Sequence, residues 1–109
     1  MPGINDLKTF TKTNVKAAPD ESGVYTLCLP NGRPIYIGRT KTGETIRSEL
    51  QDHFDGNGDV SGIQRAQWFG VEADLEPVAM EKTVLADYAI RYGGVPECNP
   101  PVAESPGIQ

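Results

Sequence analysis

The chain has 109 residues, of which 38% are hydrophobic and 23% charged, and its formal net charge is −5. This length predicts one compact domain with a single hydrophobic core. No apolar run approaches the roughly 18 residues that a membrane span requires, and no basic segment leads into an apolar stretch at Met1. We therefore expect a cytoplasmic protein with no membrane partner.

The charge is unevenly distributed along the chain. Residues 1–42 carry a balance of +3, whereas residues 43–109 carry one of −8. An acidic surface repels the phosphates of nucleic acid. If this protein binds nucleic acid, its first half should face it.

Two cysteines, Cys28 and Cys98, form neither a CxxC motif nor a Cys/His cluster. A disulfide framework and a zinc ribbon are therefore not expected. We interpret both residues as unpaired apolar cysteines.

The N-terminal 22 residues carry a weak apolar pattern, Ile4, Leu7 and Phe10, which predicts one or two helical turns. The stretch APDES that follows is rich in turn-forming residues. We interpret residues 1–22 as an N-terminal extension.

Residues 23–40, GVYTLCLPNGRPIYIGRT, predict a β-hairpin. The Asn-Gly pair in PNGRP favours a tight reversal between two apolar strands. Pro34 has no N–H to donate and should begin the second strand. Each arm carries a tyrosine, Tyr25 and Tyr36, and tyrosine is common in strands without any chemical role.

The second half predicts a helix over residues 43–54, a loop DGNGDVSG, a strand within QRAQWFGVEA, and a helix that Pro77 opens and Gly93 closes. The order predicts a small α+β domain over residues 23–101, with a three-stranded, mainly antiparallel sheet flanked by helices. Residues 102–109 are expected to be a flexible tail.

Glu81 lies beside the apolar stripe of the last helix, on the side of Val84 and Tyr88. Its carboxylate either reaches water at the edge of the stripe or points inward. An inward carboxylate needs a cation, a hydrogen-bond network or a divalent metal, because burying it alone costs several kcal/mol.

GVY at residues 23–25, YIG at 36–38, Glu81 and the sequence PECN that ends at Asn99 resemble, in this order, the GIY-YIG nuclease family. The resemblance covers roughly residues 19–99. It implies a GIY-YIG-type fold and a metal-dependent endonuclease that hydrolyses phosphodiester bonds of DNA.

The resemblance also implies roles for individual residues. Tyr25 and Tyr36 would flank the scissile phosphate and orient or deprotonate the attacking water, with nearby positive charge helping the phenols. Arg39 would bind the phosphate, and Asn99 would tie the site together through hydrogen bonds. His53 matches a histidine found in some members, although it could equally cap the end of its helix.

Glu81 matches the family's metal ligand, which implies one divalent metal, Mg²⁺ or Mn²⁺. We expect Tyr25, Tyr36, Arg39, Glu81 and Asn99 to line one concave surface. The implied partner is DNA, bound through the hairpin face, with a protein partner or a second copy of the chain as further options.

One position departs from the family's pattern. Where the family has a catalytic arginine on the first helix, this sequence has Glu49. Arg47 is the remaining arginine candidate on that helix, but two positions rotate a side chain by about 200°, so Arg47 should point away from where Glu49 points. Arg47 could therefore be a surface ion-pair residue.

Glu49 leaves a second function open. A carboxylate at that position repels phosphate, which favours a catalytically degenerate domain that binds nucleic acid or protein without cutting. The retained tyrosines, Glu81 and Asn99 favour the nuclease.

Overall fold

The structure, a computed structural model, describes residues 7–56 and 62–99. Along the chain they form β1 (Lys8–Thr9), α1 (Lys12–Lys16), β2 (Gly23–Cys28), β3 (Pro34–Arg39), α2 (Ile46–Phe54), a 3-10 turn (Ile63–Arg65), β4 (Trp68–Ala73) and α3 (Pro77–Tyr92). The expected tail at residues 102–109 lies outside the described residues, and the domain boundaries stay predictions.

The four strands form one antiparallel sheet in the order β1-β4-β2-β3. This confirms the predicted α+β class and its antiparallel sheet with flanking helices. The sheet has one strand more than the three that the sequence predicted. Lys8 and Thr9 pair with Phe69 and Trp68 of β4, where the apolar pattern indicated a helical turn. A two-residue strand is too short for a period-2 pattern to reveal it.

The hairpin is formed by β2 and β3, as predicted. The Leu29 N–H donates to the Arg33 carbonyl at 2.9 Å, and Gly32 turns the chain with a φ of 88°, a value that favours glycine. Pro34 begins β3, where its missing N–H is tolerated. β2 lies between β3 and β4, and each of its six residues is buried.

The sheet carries helices on both faces. Tyr25 and Leu27 of β2 pack with Ile46 and Leu50 of α2. Their neighbours along the strands point the other way: Val24 of β2 and Ile37 of β3 pack with Val84 and Tyr88 of α3. Because strand side chains alternate between faces, one strand supplies two separate cores.

The helix ends follow their capping residues. α2 begins at Ile46 rather than at Gly43, because Thr45 and Ser48 form a capping box in which each side-chain oxygen accepts a hydrogen bond from the other residue's backbone N–H. α3 begins at Pro77 and ends at Tyr92, and Gly93, which has a φ of 86°, follows it. Among the described residues, no helix combines the length and apolarity needed to cross a membrane.

Candidate active site

Tyr25 lies directly over Gly38, its partner across the hairpin. A Cβ atom at position 38 would come within 2.6 Å of the Tyr25 ring and hydroxyl, and within 2.7 Å of the Tyr36 ring. A side chain at this position would displace both rings. The glycine of YIG is therefore what allows the two tyrosines to approach each other on one face of the sheet.

His53 completes a cluster of three rings with these tyrosines. Its centroid lies 5.5 Å from each tyrosine ring, and the two tyrosine centroids are 6.1 Å apart. The Tyr25 hydroxyl and His53 Nε2 are 2.9 Å apart and share a hydrogen bond. His53 Nδ1 is buried and has no hydrogen-bond partner in the described part of the chain. We call Tyr25, Tyr36 and His53 the ring cluster.

The environment keeps the ring cluster uncharged at neutral pH. Burial, with the neighbouring Tyr36 and the Glu49 carboxylate, raises the pKa of Tyr25 far above its ordinary value near 10. Burial also raises the pKa of Tyr36, although Arg39 acts on it in the opposite direction. Burial lowers the pKa of His53, with Asp52 opposing and Lys41 assisting the shift. The phenols are thus proton donors, and the neutral imidazole is the stronger base in the cluster.

Glu49 is buried at the ring cluster. Its side chain lies one helical turn before His53 on α2, its residue is 6% exposed, and its Oε2 accepts the backbone N–H of Lys41 at 3.2 Å. Its charge contributes to the raised pKa values of Tyr25 and Tyr36. The position where the family resemblance placed a cation therefore holds a carboxylate whose charge acts on both tyrosines.

Arg47 lies away from the ring cluster, as its helical position predicted. Its Nε donates to the Ala18 carbonyl at 2.9 Å, and its Nη1 is 4.0 Å from the Asp20 carboxylate. These contacts fasten α2 to the segment that follows α1. The structure does not bring this candidate together with the other site residues.

Arg39 and Glu81 lie on the α3 face of the sheet. Arg39 Nε is 3.3 Å from Glu81 Oε1, so the inward carboxylate has a cation as its partner. Tyr36 and Arg39 are three residues apart on β3, and an odd separation places side chains on opposite faces. The two side chains therefore leave the strand on opposite sides, and the expectation of one shared concave surface stays a prediction.

The two groups of residues approach each other around the outer edge of β3. The pKa of Glu81 is raised by burial and lowered in part by Arg39. Burial is the largest cause of the raised pKa values of Tyr25 and Tyr36, and the charge of Glu81 is a smaller cause for both. The carboxylate therefore lies close enough to affect the tyrosines electrostatically, although α3 holds it on the other face.

Asn99 occupies the outer edge of β3 between these two groups. Its Oδ1 accepts the N–H of Ile37 at 2.9 Å, and its Nδ2 donates to the carbonyl of the same residue at 2.8 Å. The Cys98 N–H donates to the Ile35 carbonyl at 2.8 Å. The Asn99 side chain thus acts as a strand residue would, and it fixes the edge around which the site is arranged.

Glu81, as a lone carboxylate ligand, fits a metal that keeps most of its water ligands. Among residues 7–56 and 62–99, no group of three or more His, Cys, Asp or Glu side chains converges as a metal site. Mg²⁺ is commonly held through one or two carboxylates and several waters, which Glu81 alone can satisfy. The contact with Arg39 would compete for the same carboxylate. Glu81 is the residue that would hold such a metal.

Lys41 is a site residue that the sequence reasoning missed. It follows β3 by two positions, its backbone N–H binds Glu49, and its ammonium charge lowers the pKa of His53. Its position in the loop stretch KTGET, residues 41–45, gave no signal of a role. The loop that carries it brings a cation to the side of the ring cluster.

Comparison with known proteins finds similarity to a curated protein. No model of a known protein family matches the chain, and no solved structure matches it. Among the curated proteins that it matches is the UvrABC system protein C of Arthrobacter sp. (strain FB24), with 29% identity over 85 residues. The aligned part is 71% of this chain but 12% of that protein, so the chain is similar to a small part of a much longer relative.

Proposed function

We propose that this chain is a GIY-YIG-type domain that hydrolyses phosphodiester bonds of DNA with the help of a divalent metal. The similarity to UvrABC system protein C supports a nuclease-related domain and is compatible with the family resemblance of GVY, YIG, Glu81 and Asn99. The relative is much longer, so the proposal concerns the domain alone.

The observation that carries the proposal is the ring cluster, packed against Gly38 and beside the Arg39–Glu81 pair. A 2.9 Å hydrogen bond between a phenol and a neutral imidazole is a means of moving a proton. A cation and a carboxylate close by supply phosphate binding and a metal ligand. Tyrosines that only fill space in a sheet would need neither the imidazole nor the neighbouring cation and carboxylate.

In the proposed reaction, Tyr36 orients a water molecule toward the phosphorus through its hydroxyl. Burial keeps Tyr25 protonated, so it can donate its own hydroxyl proton to His53 Nε2 and take up a proton from that water. The imidazole accepts the proton because burial keeps it neutral. Arg39 binds a non-bridging phosphate oxygen. A metal on Glu81 would supply charge stabilisation at the leaving oxygen.

A second function is favoured by Glu49. Its buried carboxylate acts on the pKa of Tyr25, and from such a position it would repel a phosphate bound at the tyrosines. A domain with this residue could bind DNA through its basic groups and leave it intact. Under this alternative the ring cluster is a packing feature.

A plasmid-nicking assay in Mg²⁺ and in Mn²⁺ separates the two functions. We expect the wild type to nick supercoiled DNA, and Glu81→Gln to lose at least about 10²-fold in rate because the metal ligand is removed. The matched control is Asp87→Asn, an exposed carboxylate on the same helix. Equal rates in Glu81→Gln and Asp87→Asn, or no nicking by the wild type, would reject the nuclease and favour the binding domain.

A further inference from the structure

Two open grooves meet at Leu75, in the loop between β4 and α3, and they differ in charge. The first has a volume of about 880 Å³ and carries the acidic residues Glu21, Asp74 and Glu76. The second, of about 590 Å³, lies between the loop after β3 and the beginning of α3. We call them the acidic groove and the basic groove.

The basic groove is lined by three cations, Arg39, Lys41 and Lys82, against two carboxylates, Glu44 and Glu76. Lys41 and Lys82 are exposed, so their ammonium groups are available to a ligand at low desolvation cost. Arg39 is already paired with Glu81, so Lys41 and Lys82 are the cations of this groove that a ligand can bind. The groove suits an anion.

This groove is continuous with the candidate active site. Arg39 lines it and also binds Glu81, while Lys41 lines it and acts on His53 through its charge. A polyanion that lies along the groove would therefore come close to Arg39 at the end of β3. On the other side of Leu75, the acidic groove would repel it.

We propose that the basic groove holds the DNA strand next to the scissile phosphate, with Lys41 and Lys82 on its backbone phosphates. This proposal rests on the proposed function, because its occupant is the strand that would be cut. It adds a binding surface formed by the loop after β3 and the first turns of α3. The surface lies outside the motif residues.

Apolar side chains at the mouth of the groove suit the rest of a nucleotide. Leu75 is 95% exposed and Val78 is 49% exposed, and both line the basic groove. Sugars and the faces of bases are the apolar parts of a DNA strand, and exposed aliphatic side chains can pack on them. We infer that phosphates lie toward Lys41 and Lys82 while a sugar or base contacts Leu75.

Fluorescence anisotropy with labelled DNA in EDTA tests the proposal, because no cleavage takes place without metal. Lys82→Gln and Lys41→Gln should each weaken binding at least about threefold and reduce the slope of log affinity against log salt by about 0.9. Leu75→Ser should weaken binding and leave that slope unchanged. The control is Lys12→Gln, an exposed lysine on α1, which should behave as wild type.

The outcomes also distinguish this proposal from the proposed function. If the wild type nicks plasmid but Lys82→Gln and Lys41→Gln bind DNA with the wild-type affinity and salt slope, the groove proposal is overturned and the nuclease stands. If the wild type never nicks plasmid but the lysine variants bind DNA more weakly and with a smaller salt slope, the nuclease proposal is rejected. The basic groove is then supported as a DNA-binding surface. Wild-type binding that does not change with salt would overturn the groove proposal.

Discussion

Glu49 is the residue on which the two functions diverge. It lies on α2 one turn before His53, and its buried carboxylate accepts the backbone N–H of Lys41 at 3.2 Å. The family resemblance singled out this position, and helical geometry predicted that Arg47 points elsewhere. The sequence did not predict that Glu49 is buried, because burial depends on how the loop after β3 folds over the helix.

Removing the charge of Glu49 should therefore accelerate cleavage. Glu49→Gln keeps the side-chain shape and its acceptor for the Lys41 N–H, and Glu49→Arg supplies a cation. We expect either variant to raise the metal-dependent nicking rate at least about tenfold, since the repulsion of phosphate is removed. A tenfold increase corresponds to an activation free energy lower by about 1.4 kcal/mol. Rates in both variants equal to the wild-type rate would show that the Glu49 charge does not face the reacting phosphate.

His53 makes stability depend on pH in a defined direction. Burial places its pKa below the ordinary value of 6.5, so the unfolded chain binds the proton more readily than the folded one. The free energy of unfolding should therefore fall as the pH drops through about 6.5 toward the lowered value. Urea denaturation between about pH 8 and 5 should show a shallower fall for His53→Gln than for wild type, and parallel curves would contradict the buried neutral imidazole.

Among the elements, β3 positions the site because it is an edge strand of the sheet. It carries Tyr36 of the ring cluster on one side and Arg39, the partner of Glu81, on the other. Sequence pattern located the hairpin through Asn-Gly and Pro34, and α3 through Pro77 and Gly93. It also located α2 but not its capping box at Thr45 and Ser48. It did not reveal β1, whose partner lies about 60 residues away on β4. It also grouped Tyr36 with Arg39, although their odd separation on one strand already implied opposite faces.

Asn99 should contribute measurably to the stability of this edge. Asn99→Ala removes both hydrogen bonds to Ile37 and leaves its N–H and carbonyl unpaired, so we expect a loss of about 1 to 3 kcal/mol in urea denaturation. The control is Asn31→Ala, which removes one exposed hydrogen bond to the Arg33 N–H and should cost less than about 1 kcal/mol. Equal losses in the two variants would mean that Asn99 does not hold the strand edge.

Gly38 allows a close approach that an alanine would prevent. Gly38→Ala places a methyl group within 2.6 Å of the Tyr25 ring, and we expect a cost of about 1 to 3 kcal/mol with a displaced ring cluster. Gly94→Ala is the matched control, because a Cβ atom there meets nothing within 4 Å. Thermal unfolding compares the two, and a Gly38→Ala midpoint equal to that of Gly94→Ala would contradict the packing described here.

At the scale of the whole molecule, the distribution of charge agrees with the arrangement of the site. Arg39 and Lys41 come from the basic first part of the sequence, and the fold places them beside Lys82 of the acidic second part. The charge distribution along the sequence predicted only that the first part would face nucleic acid if the chain binds it. It could not predict the basic groove, because Lys82 joins the other two cations only when α3 packs on the sheet.

The most direct test of the central claim, that the ring cluster at β3 performs phosphodiester hydrolysis, is a single-turnover cleavage assay of Tyr36→Phe beside Tyr92→Phe. Tyr36 lies in the ring cluster, whereas Tyr92 stacks with Tyr88 and Arg33 at the far end of α3. We expect Tyr36→Phe to lose at least about 10²-fold in rate with its DNA affinity unchanged, since the lost hydroxyl acts on the reacting water. Tyr92→Phe should cleave as wild type. Equal cleavage rates in the two variants would contradict the central claim.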